Sequence, residues 1–244
     1  EEGAVAAVVE ALLKVLENSG LRHEVLVVDD GSSDSTADAA EGAGARVVRH
    51  RINRGYGAAI KSGMRAAAHD LICITDADGT YPSEAIPALV EAVHDGADMA
   101  VASRTGANVS IPLVRRPAKW VIRKMAEAVA GTPIPDINSG LRVFRRSQTR
   151  VYLGILPDGF SFTTTITLAL LSDGYEVAYR SIDYGERVGR SKIRPVCDTL
   201  NFAGLVVRIA LYFAPLKFFL PFSAFLLAVA VAWALVSKLV LGTL

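Results

Sequence analysis

VLVVDDGSSDST, residues Val25 to Thr36, changes character halfway along its length. Val25 to Val28 is a short apolar, β-branched run of the kind that fits a pleated, half-buried strand. Asp29-Asp30-Gly31 ends that run, and Ser33 or Asp34 follows with a side-chain oxygen suited to cap a helix starting near Ser35. One strand thus runs into one helix through an acidic turn. Upstream, Ala4 to Asn18 is Ala/Leu/Val-rich and helical, with Gly20 as its stop. Downstream the unit repeats: Arg46 to Arg49 reads as strand, Tyr56 to His69 as helix, Leu71 to Thr75 as strand, Glu84 to His94 as helix and Met99 to Ser103 as strand.

Strands and helices alternating at this spacing predict an α/β domain, a mostly parallel sheet with helices on both faces. Ligands of such sheets sit beyond the carboxyl ends of the strands. Asp29-Asp30 and Asp76-Ala77-Asp78 both fall there, so two acidic clusters are expected on one edge. Past Val114 a helix is expected to about Val129, then the Pro-rich Thr132 to Pro135, a strand at Leu141 to Phe144, a helix at Ser161 to Ser172 and an extended stretch from Val177 to Tyr184.

The remainder is a different kind of chain. Phe218 to Val236 carries no charge, and at about 1.5 Å per residue such a run is long enough to cross a hydrocarbon core of roughly 30 Å. Pro195 to Leu216 mixes apolar residues with Asp198, Asn201 and Arg208, as an interfacial helix does. The expected organisation is a catalytic domain over 1–194, a juxtamembrane amphipathic helix over 195–216 and a transmembrane segment over 217–244. Arg190, Lys192, Arg194, Arg208 and Lys217 precede the span, which puts the domain on the cytoplasmic face by the positive-inside rule. The chain opens Glu-Glu-Gly with no Met, so a lost natural start is expected.

A net charge of +1 conceals a regional bias. Between Arg104 and Arg150 ten basic residues face only Glu127 and Asp136, so an anionic ligand is expected there, and no nucleic acid. Cys73 and Cys197 have no metal-like spacing and make no disulfide framework. Asp76 and Asp78 offer the oxygen ligands that Mg²⁺ or Mn²⁺ takes alongside substrate phosphates. Each acidic cluster taken singly is equally an ordinary acidic turn; together and in order they say more.

VVDDGSSDST, NRGYGAAIKSG (Asn53 to Gly63) and ITDADGTYPSE (Ile74 to Glu84) resemble, in this order, the family 2 glycosyltransferases of GT-A fold. NSGLRVFRR (Asn138 to Arg146), GFSFTTTITLALLSDGY (Gly159 to Tyr175) and ERVGRSKIRP (Glu186 to Pro195) continue the likeness, which is similar to the dolichol-phosphate mannosyltransferase and undecaprenyl-phosphate glycosyltransferase branch. The resemblance implies a nucleotide-sugar donor, a polyprenyl phosphate acceptor and inversion at the sugar. It implies nucleotide-sugar contacts from Asp29, Asp30, Gly55, Tyr56 and Gly57, and a metal on Asp76 and Asp78. Arg104, Arg115, Arg116, Lys119, Ser139, Arg142 and Arg190 are implied at the lipid phosphate, with Arg116, Arg187 and Lys192 taking catalytic parts beside the two aspartates.

The departures from the family pattern are specific. Thr163 to Thr165 stand where many relatives carry a glutamate, Thr80 where a glutamine is common and Lys119 where some have serine; the family's first strand, with its base-gripping turn, is expected to be absent. A phosphate monoester, with a second pKa near 6, needs no general base to become nucleophilic, so the missing glutamate suits that acceptor. An inactive membrane scaffold and a processive polysaccharide synthase are the alternatives, the second lacking its Gln-x-x-Arg-Trp string here.

Overall fold

The first unit of the chain folds as a helix before any strand, α1 at Glu2–Asn18. There follow β1 at Leu26–Asp29, α2 at Thr36–Gly42, β2 at Arg46–Arg49, α3 at Tyr56–Ala66, β3 at Leu71–Ile74, α4 at Ile86–His94 and β4 at Met99–Ser103. Then come β5 at Arg142–Arg145, the short α5 at Arg146–Thr149, α6 at Phe162–Ser172, β6 at Val177–Ser181 and the long α7 at Pro215–Leu241. The computed structural model describes residues 2–105, 123–124, 126–128, 130–159, 161–183, 204, 207–208, 211–212 and 215–242. Most of the helix expected over Val114 to Val129, most of the juxtamembrane segment 195–216 and the loop from Glu186 to Pro195 lie outside the described residues.

Each predicted strand is present, but the sheet is mixed. β1 pairs β2 in parallel and β4 pairs β6 in parallel. β5 runs antiparallel to both of its neighbours, β3 and β4, giving the order β3-β5-β4-β6. The fold is nonetheless the α/β GT-A architecture expected, with helices on both faces. Side-chain alternation makes the layers. Ile72, Met99, Val101 and Phe144 face a core closed by α3 and α6, while Leu71, Ala100, Ala102 and Val143 face one closed by α1 and α4.

Among the described residues the strands form two sheets, β1-β2 and β3-β5-β4-β6. Helices hold the two parts together. On one side Val5 and Val9 of α1 pack with Val25, Val27 and Val47, while Leu12 and Leu16 of the same helix pack against the cluster of β4 and β5. On the other, Gly63 of α3 lies against Val28 and Leu26, while Met64 and Ile60 of that helix pack with Ile72 and Ile74.

Two boundaries differ from the sequence reading. α3 stops at Ala66, short of His69, because Ala67 turns extended and its carbonyl receives the Arg146 guanidinium at 2.5 Å. Ala68 N–H then donates to Glu24 at 2.5 Å. α7 is longer than the uncharged run alone and continues through Pro221. Within it Phe219–Leu239 is long and apolar enough to cross a membrane, and none of that stretch is buried against the protein.

Candidate active site

Asp76 and Asp78 stand on the turn that leaves β3, and Gly79, at φ 74°, closes it. Asp78 is 5 % exposed, and its Oδ1 accepts from the Thr80 amide at 3.2 Å and the Thr80 hydroxyl at 2.6 Å. Thr80 is itself 1 % exposed, so this local loop of hydrogen bonds fixes the carboxylate's rotamer. The unusual threonine therefore has a structural task here.

Asp76 is held from two other directions. The Tyr56 hydroxyl, at the first residue of α3, donates to it; burial first and the charge of Asp76 second push that phenol's pKa far up, so it keeps its proton. From the far side comes Gly140. A Cβ there would sit 2.8 Å from Asp76 Oδ2, so glycine lets the loop 138–140 close on the carboxylate without displacing it. Tyr81, 8 % exposed, fixes that loop by accepting from Gly140 N–H at 2.7 Å.

The acidic turn after β1 is built differently. Asp29 Oδ1 accepts from Ser32 N–H at 3.1 Å. Asp30 Oδ1 accepts from His50 Nδ1 at 2.6 Å and Arg54 N–H at 2.9 Å, and its Oδ2 from Gly55 N–H at 2.7 Å. Burial pushes the Asp30 carboxyl up, and these three donors outweigh it, so the group titrates below the ordinary aspartate range. Gly31, at φ 77°, lies close against another stretch of chain: a Cβ would meet the backbone of Ile52 and Asn53 at 2.7 Å.

Gly55 and Gly57 serve the same kind of close approach. A Cβ on Gly55 would lie 2.5 Å from Asp158 O, and one on Gly57 would strike Pro157 O. Ala58 N–H donates to Asp158 O at 3.1 Å, Lys61 Nζ to Leu156 O at 3.0 Å, and Lys61 also pairs with the Asp158 carboxylate. The start of α3 is thus stapled to the 156–159 loop, which holds Tyr56 at Asp76.

Beneath the site lies Arg142, which is fully buried. Its guanidinium donates to Ser139 O through Nε at 3.1 Å and again through Nη2, and to Thr163 O at 2.9 Å and Thr167 Oγ1 at 2.8 Å through Nη1. This corrects the expectation that Arg142 lines the lipid-phosphate surface: it braces the 138–140 loop from inside. Ser139, also fully buried, is part of that brace through its carbonyl. Thr164 Oγ1 bonds Asn138 Oδ1 at 2.7 Å and Thr165 Oγ1 bonds Ser161 O at 2.9 Å, so these hydroxyls are turned to structure.

The basic cluster is partly spent inside the protein. Arg104 grips Asp136 through Nε at 2.7 Å and Nη2 at 3.0 Å. Burial raises the Asp136 carboxyl, and Arg104 more than offsets it, holding the group below its ordinary range. Arg145 and Arg146 donate to the carbonyls of Val93 and Ala67. Arg115, Arg116, Lys119, Arg187, Arg190 and Lys192 lie outside the described residues.

Tyr81 and Gly140 were not singled out from the sequence, Asp136 entered only as a counter-charge to the basic cluster, and His50 read as a surface or helix-end residue, whereas its side chain is 6% exposed. Tyr81 lies within the quoted ITDADGTYPSE and Gly140 within NSGLRVFRR, but nothing local says that they meet.

The residues present fit a hard divalent cation. Among the described residues no group of three or more His, Cys, Asp or Glu side chains converges on one point, so no closed cage exists. Two oriented carboxylates at a strand edge offer oxygen ligands of the kind that Mg²⁺ or Mn²⁺ takes alongside substrate phosphates.

A mixed α/β sheet with oriented carboxylates at its carboxyl edge is that of a GT-A transferase, and comparison with known proteins gives the family. Residues 1–153 match the model of Glycosyl transferase family 2, and the chain belongs to that family and is a glycosyltransferase. It is 29% identical over 212 residues to the dolichyl-phosphate hexose transferase of Haloferax volcanii, covering 86% of this chain and 90% of that one. It is 33% identical over 159 residues to the undecaprenyl-phosphate 4-deoxy-4-formamido-L-arabinose transferase of Edwardsiella ictaluri, covering 63% of this chain and 48% of that one. Glucosyl-3-phosphoglycerate synthase from Mycobacterium tuberculosis, solved with Mn²⁺, UDP and phosphoglyceric acid, superposes with a TM-score of 0.66 at 21% identity, over 87% of this chain and 74% of that one.

Proposed function

We propose that this chain transfers a sugar, with inversion, from a nucleotide-sugar donor such as UDP-glucose or GDP-mannose to a polyprenyl phosphate, undecaprenyl or dolichyl, at the cytoplasmic face of a membrane. One observation supports it above the others. The same chain carries a transferase site and an apolar helix, Phe219–Leu239, with none of its length covered by protein. An apolar anchor keeps a catalytic domain beside a substrate that never leaves the bilayer. The relatives named for dolichyl and undecaprenyl phosphate support the same acceptor class.

In the reaction an oxygen of the acceptor phosphate forms a bond to the anomeric carbon as the bond from that carbon to the nucleoside diphosphate breaks. The acceptor, with a second pKa near 6, is already largely ionised at neutral pH. No side chain has to remove a proton, and the Thr164 and Thr165 hydroxyls, bonded to Asn138 and to backbone, are consistent with that. Asp76 and Asp78 would hold Mg²⁺ or Mn²⁺ against the donor diphosphate, and the bound ion supplies neutralisation of charge growing on the leaving oxygens. Tyr56, Thr80 and Gly140 keep the two carboxylates in place beforehand, so little reorganisation accompanies the chemical step. Arg116, Arg187 and Lys192 are assigned to the phosphates of donor and acceptor.

The test is transfer itself. Full-length protein in detergent, given Mg²⁺ or Mn²⁺ and radiolabelled UDP-glucose or GDP-mannose, should label polyprenyl phosphate. A product on water or on soluble phosphoglycerate only, with the lipid unlabelled under every donor, would overturn the acceptor assignment.

A further inference from the structure

Outside the metal half-site, one chain of polar contacts has no part in the chemistry above. His50 follows β2, its side chain is 6% exposed, and its ring is bonded at both nitrogens: Nδ1 to Asp30 Oδ1 at 2.6 Å and Nε2 to Ser62 Oγ at 2.9 Å. Its backbone N–H donates to Asp29 O at 2.9 Å. An ionised carboxylate only accepts, so Nδ1 carries a proton and donates, and in the neutral ring the Ser62 hydroxyl donates to Nε2. The order Asp-His-Ser is that of a hydrolytic triad, but Ser62 sits inside α3, whose amides are committed to the helix, so nothing there stabilises an oxyanion. The relay does something else.

Its far end is informative. Asp30, the residue His50 holds, also accepts the amides of Arg54 and Gly55. Those two residues lead into Tyr56, which donates to Asp76. One imidazole thus links the ends of β1 and β2 to the start of α3, and α3 to a carboxylate of the metal half-site.

We propose that His50 is a positioning residue for the nucleotide-sugar donor: through Nδ1 it fixes the Asp30 carboxylate, and so the Arg54-Gly55 turn and the Tyr56 hydroxyl, in the conformation that receives the donor. The functional half of this rests on the donor assignment made above; the structural half does not. Nδ1 carries the effect and Nε2 only steadies the ring, because Asp30 is the hub of the turn and Ser62 meets the ring from within α3.

The two nitrogens are separable by substitution. An asparagine amide places its nitrogen about where Nδ1 lies, and a glutamine amide reaches about as far as Nε2. His50→Asn should hold the donor KM within about threefold of wild type, whereas His50→Gln should raise it about tenfold, a difference of about 1.4 kcal/mol. In both variants the KM for polyprenyl phosphate should stay within about twofold, and kcat should fall in His50→Gln alone, because the Tyr56 hydroxyl that steadies Asp76 moves with the turn. Ser62→Ala should resemble His50→Asn. Hydrogen exchange at the Gly55 amide gives a readout independent of transfer: protection should fall about tenfold or more in His50→Gln and persist in His50→Asn. Equal donor KM in the two His50 variants, or unchanged Gly55 exchange in His50→Gln, overturns the proposal. Exchange behaving as expected in a protein that transfers no sugar would uphold the turn-fixing role and overturn the function instead.

Discussion

The two acidic turns look alike in sequence, each a strand running into aspartates and a glycine, yet they are built for opposite ends. After β1, Asp30 is consumed by its own protein: two amides and an imidazole point at it. After β3, Asp76 is steered by the Tyr56 hydroxyl and by the absence of a side chain at Gly140, and Asp78 by the hydroxyl and the single amide of Thr80, with no cluster of amides on either. Backbone amides make a carboxylate a structural rivet. Neutral hydroxyls orient it while leaving its charge to be used. The difference teaches that a D-D-G and a D-x-D-G are distinguished less by their letters than by what the fold brings to meet them.

The hardest blow to that contrast comes from Asp78→Asn. It should lower metal-dependent turnover by about 100-fold or more, the scale on which a preorganised electrostatic group is lost, and leave membrane association unchanged. Retained turnover would take Asp78 out of the metal half-site. Gly140→Ala comes next: the added methyl must displace the Asp76 carboxylate, the flexible end of a side chain, so kcat should fall about tenfold with little change in Tm. A large fall in Tm with unaltered specific activity would show that the contact is packing alone.

Asp30→Ala should do the reverse. It strands the Arg54 and Gly55 amides and the His50 ring, at about 2 kcal/mol in stability, visible as a lower Tm in detergent. An unchanged Tm would deny the rivet. Smallest is the acid limb. Asp30 and Asp136 both titrate lower in the fold than in the unfolded chain, so their contribution is complete above the unfolded value, near pH 4, and is lost as pH falls through the folded one. Tm should therefore drop on acidification below about pH 4, and Asp136→Asn should flatten that drop; an identical pH profile in the variant would remove Asp136 from it.

Much of this was legible along the chain. The β-branched run at Val25 to Val28 and the apolar run at Met99 to Ser103 lie where strands form; of the two cap candidates Asp34 bonds the start of α2, its Oδ1 accepting from Thr36 N–H at 3.2 Å, while the N-cap position falls to Ser35. The uncharged run lies within α7. What stayed hidden shares one cause. The antiparallel setting of β5, the burial of Arg142 and the early end of α3 each depend on partners 20 or more residues away, such as Thr163 for Arg142 and Arg146 for Ala67. Arg142 read as surface charge because arginine usually is; three backbone and hydroxyl acceptors in its pocket, taking four hydrogen bonds, allow the exception.

By itself the sequence determined the strand-helix alternation, the order of the acidic turns and the apolar run, because periodicity, turn residues and charge-free length are properties of chain neighbours. Only the tertiary structure decided which glycines admit close contact, which aspartate is spent and which is held ready, and where the arginines point. Those outcomes turn on distances of about an atom's width between segments far apart in sequence, and no local pattern carries them.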